Sequence, residues 1–305
     1  MHYARPGAGL DPGSAAPPVP DHRRGGSRVG APGNTGARAA LAWAAQNRAR
    51  PTAPEDPVYR LVLWNIDLTL LDVARPTRAA YADAFREVTG RPLVRLPQMA
   101  GRTESEIFFE ALALNATGPQ PDEAQSEELL SRFTDQLAAA FGARRALLTE
   151  QGRLMPGARA AVAEVGGLPG VVQTVLTGAI KPNAIEKLRA FGLEGFFDAE
   201  VGGYGSEAYP KGAMLLNTRG RAARRYGADF TEQSTLYIGD SARDVAAARI
   251  GGSRSLAVAS GRSSAGELRD AGADVVLDDL ADTAAVVAAA DRLTLRAPGS
   301  RALPQ

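Results

Sequence analysis

Four short stretches carry residues able to do chemistry together. Asn65, Asp67 and Thr69 lie in the first, Thr177 and Gly178 in the second, Lys211 follows Pro210 in the third, and Gly239, Asp240, Ser241 and Asp244 form the last. What the chain lacks narrows the chemistry further. It has no cysteine, and its 2 histidines, His2 and His22, both stand near the N-terminus. Ser-His-Asp and Cys-His catalysis are excluded, as are cysteine- and histidine-ligated metals. Carboxylates, lysine, arginine, hydroxyls and backbone amides remain to carry any reaction.

These groups need elements to hold them. The run Leu61–Ile66 is apolar but for Asn65, as expected of a strand buried on both faces of a parallel sheet. Similar runs occur at Val171–Leu176, Leu236–Ile238, Ser255–Val258 and Asp274–Leu277, and helical patterns such as Pro182–Phe191 and Ala242–Ile250 alternate with them. Alternation of this kind predicts an α/β fold, a Rossmann-like parallel sheet with helices on both faces. In such a sheet ligands bind beyond the carboxyl ends of the strands, where the groups named above fall.

The stretch between the first two strands far exceeds the ~10–12 residues of a minimal crossover. An inserted domain is implied, and the helical periodicity of Arg78–Thr89, Glu104–Leu114 and Glu123–Phe141 predicts a small α-helical bundle. The expected organisation is an α/β core over 57–75 and 152–294, with the helical insert over 76–151. Residues 1–56, rich in Gly, Pro and Arg, read as a disordered arm and residues 295–305 as a flexible tail.

With 35 basic and 34 acidic side chains, the net charge of +1 gives no electrostatic footprint for nucleic acid, and no apolar run is long enough to span a membrane. The absence of cysteine fits a cytoplasmic setting.

Singly, each candidate has a structural use. Asp67 and Thr69 can shape a turn, Asp240 and Ser241 can cap a helix, and Thr177 can cap the helix near Pro182. Jointly, "LVLWNIDLTLLD", "VLTGAIKPNA", "YPKGAML" and "YIGDSARDVAAA" occur in this order, with a helical insert after the first. The chain from about Arg60 to Leu280 resembles the haloacid dehalogenase superfamily, and its helical insert resembles the cap of the phosphoglycolate phosphatase branch.

The resemblance implies a phosphatase acting on a small phosphorylated metabolite, a phosphomonoester such as phosphoglycolate or a sugar phosphate. It places residue 65 as nucleophile and Asp67 as general acid and base with its carbonyl on the metal. Asp240 and Asp244 complete the acidic shell, while Thr177, the Gly178 amide and Lys211 hold the phosphate. Oxygen ligands in this number suit Mg2+. Arg102 and Thr103, in "MAGRTESEIFFEAL", would face the substrate and set its specificity.

Two departures stand out. The superfamily's nucleophile is a carboxylate, and here Asn65 supplies an amide, which is a poor nucleophile and a weaker cation ligand. A protein that binds a phosphorylated ligand as a sensor or interaction module is therefore the alternative. Leu68 stands where small or polar residues are usual in the family. Among the three lysines, Lys211 is the one the motif uses, whereas Lys181 and Lys187 fit a surface helix.

Overall fold

The computed structural model describes residues 59–116, 121–207 and 210–294. The arm expected over 1–56 and the tail over 295–305 lie outside the described residues.

A five-stranded parallel sheet forms the core, built from β1 (Arg60–Trp64), β4 (Val171–Val175), β5 (Thr235–Gly239), β6 (Arg254–Val258) and β7 (Val275–Leu277), in the order β4-β1-β5-β6-β7. Every residue of β1 is buried because β4 and β5 flank it and helices cover both faces. Leu61 and Leu63 enter one apolar cluster with Met214 and Leu215 of α7 (Lys211–Tyr226) and Ala247 and Ala248 of α8 (Ala242–Gly251). Val62 and Trp64 point the other way, towards α5 (Ala158–Gly166), α6 (Lys181–Ala190) and α10 (Thr283–Thr294). The two-residue side-chain period of a strand is thus read out as two helical layers. The chain passes from β1 to β4 on one side and then to β5 on the other, so the strand order reverses between β1 and β5. That reversal opens the crevice where ligands bind in such sheets.

The long segment after β1 departs through β2 (Leu71–Asp72) and returns through β3 (Arg153–Leu154), an antiparallel pair not expected from the residue pattern. Between them lie α1 (Ala74–Thr89), α2 (Glu104–Leu114), α3 (Glu123–Gly142) and α4 (Arg145–Gln151). Local chemistry fixes their ends. Gly90 takes the left-handed conformation that stops α1, and the capping boxes Thr103/Glu106 and Asp122/Gln125 start α2 and α3.

Three aromatic rings tie these helices together. Phe133 of α3 stacks on Phe108 of α2 at 4.3 Å and meets Tyr81 of α1 edge-on at 5.3 Å, all three buried. Replacing Phe133 with alanine should lower the unfolding free energy by about 3–5 kcal/mol. Urea denaturation will check this, against Phe109→Ala at a more exposed ring, where the loss should be smaller.

Candidate active site

Four segments converge at the carboxyl ends of β1, β4 and β5. β1 stops at Trp64, short of the expected Ile66, so Asn65 begins the loop, its backbone N–H donating to the Ile238 carbonyl of β5 at 2.8 Å. The Asn65 side chain is 5% exposed and bonded at both ends. Its Oδ1 accepts from Lys211 Nζ at 3.2 Å, and its Nδ2 donates towards the Asp67 carbonyl oxygen at 2.9 Å, Thr69 Oγ1 at 3.1 Å and Asp240 Oδ1 at 2.8 Å. Thr69 Oγ1 passes its own hydrogen to Asp240 Oδ1 at 2.8 Å.

Lys211, buried at the first turn of α7, also pairs with Asp244 Oδ1 at 2.6 Å. Asp244 is fully committed. Tyr237 Oη donates to the same oxygen at 2.8 Å, while Ser241 N–H and Oγ–H donate to Oδ2 at 3.1 and 2.7 Å in the box that starts α8. Both oxygens of Asp244, expected from sequence among the metal ligands, here serve Lys211, Tyr237 and its own helix start. The two aspartates are driven apart electrically. Burial and the Asp244 charge push Asp240 up to about 7. Burial acts on Asp244 too, but the Lys211 charge and its hydrogen bonds outweigh it and hold Asp244 below the usual range.

Three oxygens, from the Asp67 carbonyl, Thr69 and Asp240, face one point. Oxygen donors alone would suit a hard cation such as Mg2+. That point is taken by the Asn65 Nδ2, which directs hydrogens at those oxygens, so the residues as arranged do not fit a divalent ion.

The Asp67 side chain turns away from this point. Both its oxygens accept from Lys187 Nζ, at 2.8 and 2.6 Å. Lys187 is 1% exposed, which corrects its assignment to a surface helix. It shares the buried face of α6 with Asn183, Ala184 and Leu188, a helical spacing legible in the sequence. Its ammonium lies 5.6 Å from the Phe141 ring centre. Beside it stands Glu104, also missed from sequence, at the start of α2. Burial pushes this carboxyl up to about 7, against the pull of the Lys187 charge and the Ile180 N–H that donates to it.

A cavity of about 210 Å3 opens over these groups, lined among others by Asn65, Asp67, Thr177, Gly178, Lys187 and Lys211. Thr177 is buried, its hydroxyl accepting from Ala179 N–H at 3.2 Å, and the Gly178 N–H makes no hydrogen bond among the described residues. Gly178 admits no side chain, because a Cβ there would lie 1.8 Å from the Arg102 carbonyl oxygen.

Arg102 lines the cavity, yet its guanidinium is turned to Glu110 and to the Gln98 and Glu106 carbonyls. Thr103, expected from sequence to face the substrate, is buried and spends its hydroxyl on the capping box. Two arginines that sequence reasoning passed over, Arg78 and Arg262, line the cavity instead and form no ion pair among the described residues. Leu68 adopts a left-handed backbone (φ 64°), held by its N–H to the Leu71 carbonyl and by Ser260 Oγ–H to its own carbonyl. A left-handed turn favours glycine or a short polar residue, so a leucine here is strained by about 1–2 kcal/mol.

Residues 62–249 match the haloacid dehalogenase-like hydrolase family. A phosphoglycolate phosphatase of Cereibacter sphaeroides is 31% identical over 199 residues, spanning 63% of this chain and 82% of that protein. Among solved structures, a predicted phosphatase from Clostridium acetobutylicum aligns with a TM-score of 0.54 at 20% identity, covering 73% of this chain and 94% of its own. A hydrolase from Pseudomonas syringae aligns at 0.53 and 22%, covering 74% and 96%. These structures share the fold.

The Glu104 shift sets a pH dependence with a definite sign. A carboxyl at about 7 when folded and ~4.3 when unfolded binds more protons in the folded state between those values. Its contribution favours the folded state at low pH, declines as pH rises through that window and is lost above about 7. Asp240, shifted in the same direction, adds to it. Glu104→Gln removes one of the two titrations, so the fall in Tm between pH 5 and 8 should be shallower in the variant. Equal slopes would refute the assignment.

Proposed function

The chain belongs to the haloacid dehalogenase-like hydrolases, and from that lineage we propose that its cleft binds a small phosphomonoester and, with Asn65 in place of the nucleophile, releases little or no phosphate. One observation carries this reading. The Asn65 side chain stands at the head of the cleft beside Lys211, and every hydrogen-bonding atom on it is engaged, so it presents no carboxylate oxygen for in-line attack on phosphorus. The Thr177 hydroxyl, the unengaged Gly178 N–H and the Lys211 ammonium are the groups that would hold the phosphate. Mg2+ is the cofactor the lineage implies, and this chain directs amide hydrogens to the point where the oxygens converge.

Turnover by direct attack of water, with Asp67 as base, is the competing reading. Against it, Lys187 occupies both oxygens of Asp67.

The ligand class follows from the lining. Arg78 and Arg262 supply cationic groups in addition to those around Asn65, which favours an ester bearing a second anion, such as the carboxylate of a phosphoglycolate-like compound, over an uncharged alcohol ester. The C. sphaeroides phosphoglycolate phosphatase supports the same class.

Phosphate release from a panel of small phosphomonoesters with MgCl2 tests the central claim. The unaltered chain should be slower than Asn65→Asp by on the order of 10⁴–10⁶. Release by the unaltered chain within tenfold of the variant would overturn it. Ligand class is tested by melting. Esters with a second anion should raise Tm more than those without, and Arg78→Ala combined with Arg262→Ala should abolish the difference.

A further inference from the structure

The disagreement between Asn65 and a divalent ion has a structural cause beyond the loss of one charge. A carboxylate has two equivalent oxygens and can face Lys211 with one and a cation with the other. An amide has one oxygen, and Lys211 claims it at 3.2 Å. Turning the amide over would set Nδ2 against the Lys211 ammonium, donor against donor. It would also set Oδ1 against Asp240 Oδ1, the Asp67 carbonyl and Thr69 Oγ1, which now lie 2.8, 2.9 and 3.1 Å from Nδ2.

Lys211 cannot follow the turn. Asp244 holds it at 2.6 Å, and Asp244 is itself fixed by Tyr237 and by both donors of Ser241. The amide is 5% exposed, so water has little access to replace the lost partners.

We propose that the Asn65 amide group is the resident occupant of the cation position. Its two N–H hydrogens are shared among the three converging oxygens, Lys211 locks its orientation, and the cleft in its native form works without a divalent ion. The proposal rests on reading the cleft as the family's phosphoester site and adds that its ligand binding is independent of Mg2+. In this arrangement Lys211 acts as the latch on the amide as well as a phosphate ligand.

Mn2+ titration of the full chain, freed of metal with EDTA and then dialysed, tests the proposal, with free Mn2+ followed by electron paramagnetic resonance. Asn65→Asp should bind one Mn2+ at least about 100-fold more tightly than the unaltered chain. Affinities within tenfold of one another would overturn it, whether both proteins bind or neither does. Melting provides a second readout, since the variant places two carboxylates together and can be unstable without metal. MgCl2 should raise the Tm of the variant, or restore its folding, and move that of the unaltered chain by less than about 1 °C; a rise in the unaltered chain equal to the variant's would overturn the proposal.

The two readings fail separately. If 2-phosphoglycolate gives no thermal shift with the unaltered chain, in EDTA or in MgCl2, the function proposed above is lost whatever the metal result. If the shift appears only with MgCl2, metal independence alone is overturned.

Discussion

A buried ammonium stitches the centre of this molecule. Lys211 enters from the first turn of α7 and joins Asn65, just past the end of β1, to Asp244 of α8, which also accepts from Tyr237 of β5. Lys211 is 6% exposed and Asp244 2%, so neither charge has water to fall back on. Removing one partner from such a pair leaves an uncompensated buried charge at a cost of about 3–5 kcal/mol. The sheet order follows the same logic. β1 and β5 must be neighbours for Asn65 and Asp240 to lie within 2.8 Å, and the reversal of strand order at that place opens the crevice above them.

A second ion pair sits across the cleft and belongs to a different kind of contact. Lys187 reaches from α6 to the Asp67 carboxylate, and Glu104 at the head of α2 accepts from the Ile180 N–H just before α6. The Glu104 N–H donates in turn to the Gly178 carbonyl at 2.9 Å. The helical insert is therefore pinned to the segment between β4 and α6, and a Cβ at Gly178 would prevent that approach. Residues remote in sequence, Glu104 and Ile180, thus share one electrostatic environment with Asp67.

Much of this is legible in the sequence. The continuous apolar run through Leu61–Trp64 signals a strand covered on both faces, and the polar groups that end β1, β4 and β5 had to gather at one edge. The rest escaped for particular reasons. Lys187 reads as a solvated helical lysine until its spacing with Asn183, Ala184 and Leu188 places it on the buried face. Glu104 reads as a favourable charge at a helix start, which it is, and only the fold shows what covers it. Arg102 looked like a substrate contact because of its place in the loop, yet Glu110, two turns along α2, takes its charge. Tertiary pairings of this sort leave no periodic trace in the chain. Asp244 is legible as an acid at a strand end, whereas the hydroxyls and amide that bind it are supplied by the fold.

The short antiparallel pair Leu71–Asp72 with Arg153–Leu154 carries a consequence of another kind. It brings the departure and return of the helical segment side by side at the rim of the sheet, so the core meets that segment through two adjacent strand ends. Loop-closure entropy grows only as the logarithm of length, so at this doorway the sheet is nearly indifferent to how much chain lies beyond it. The helices between Ala74 and Gln151 are in that sense a cassette, with its own aromatic centre at Phe108 and Phe133. Residues there can then be exchanged while the order of the five parallel strands is left untouched.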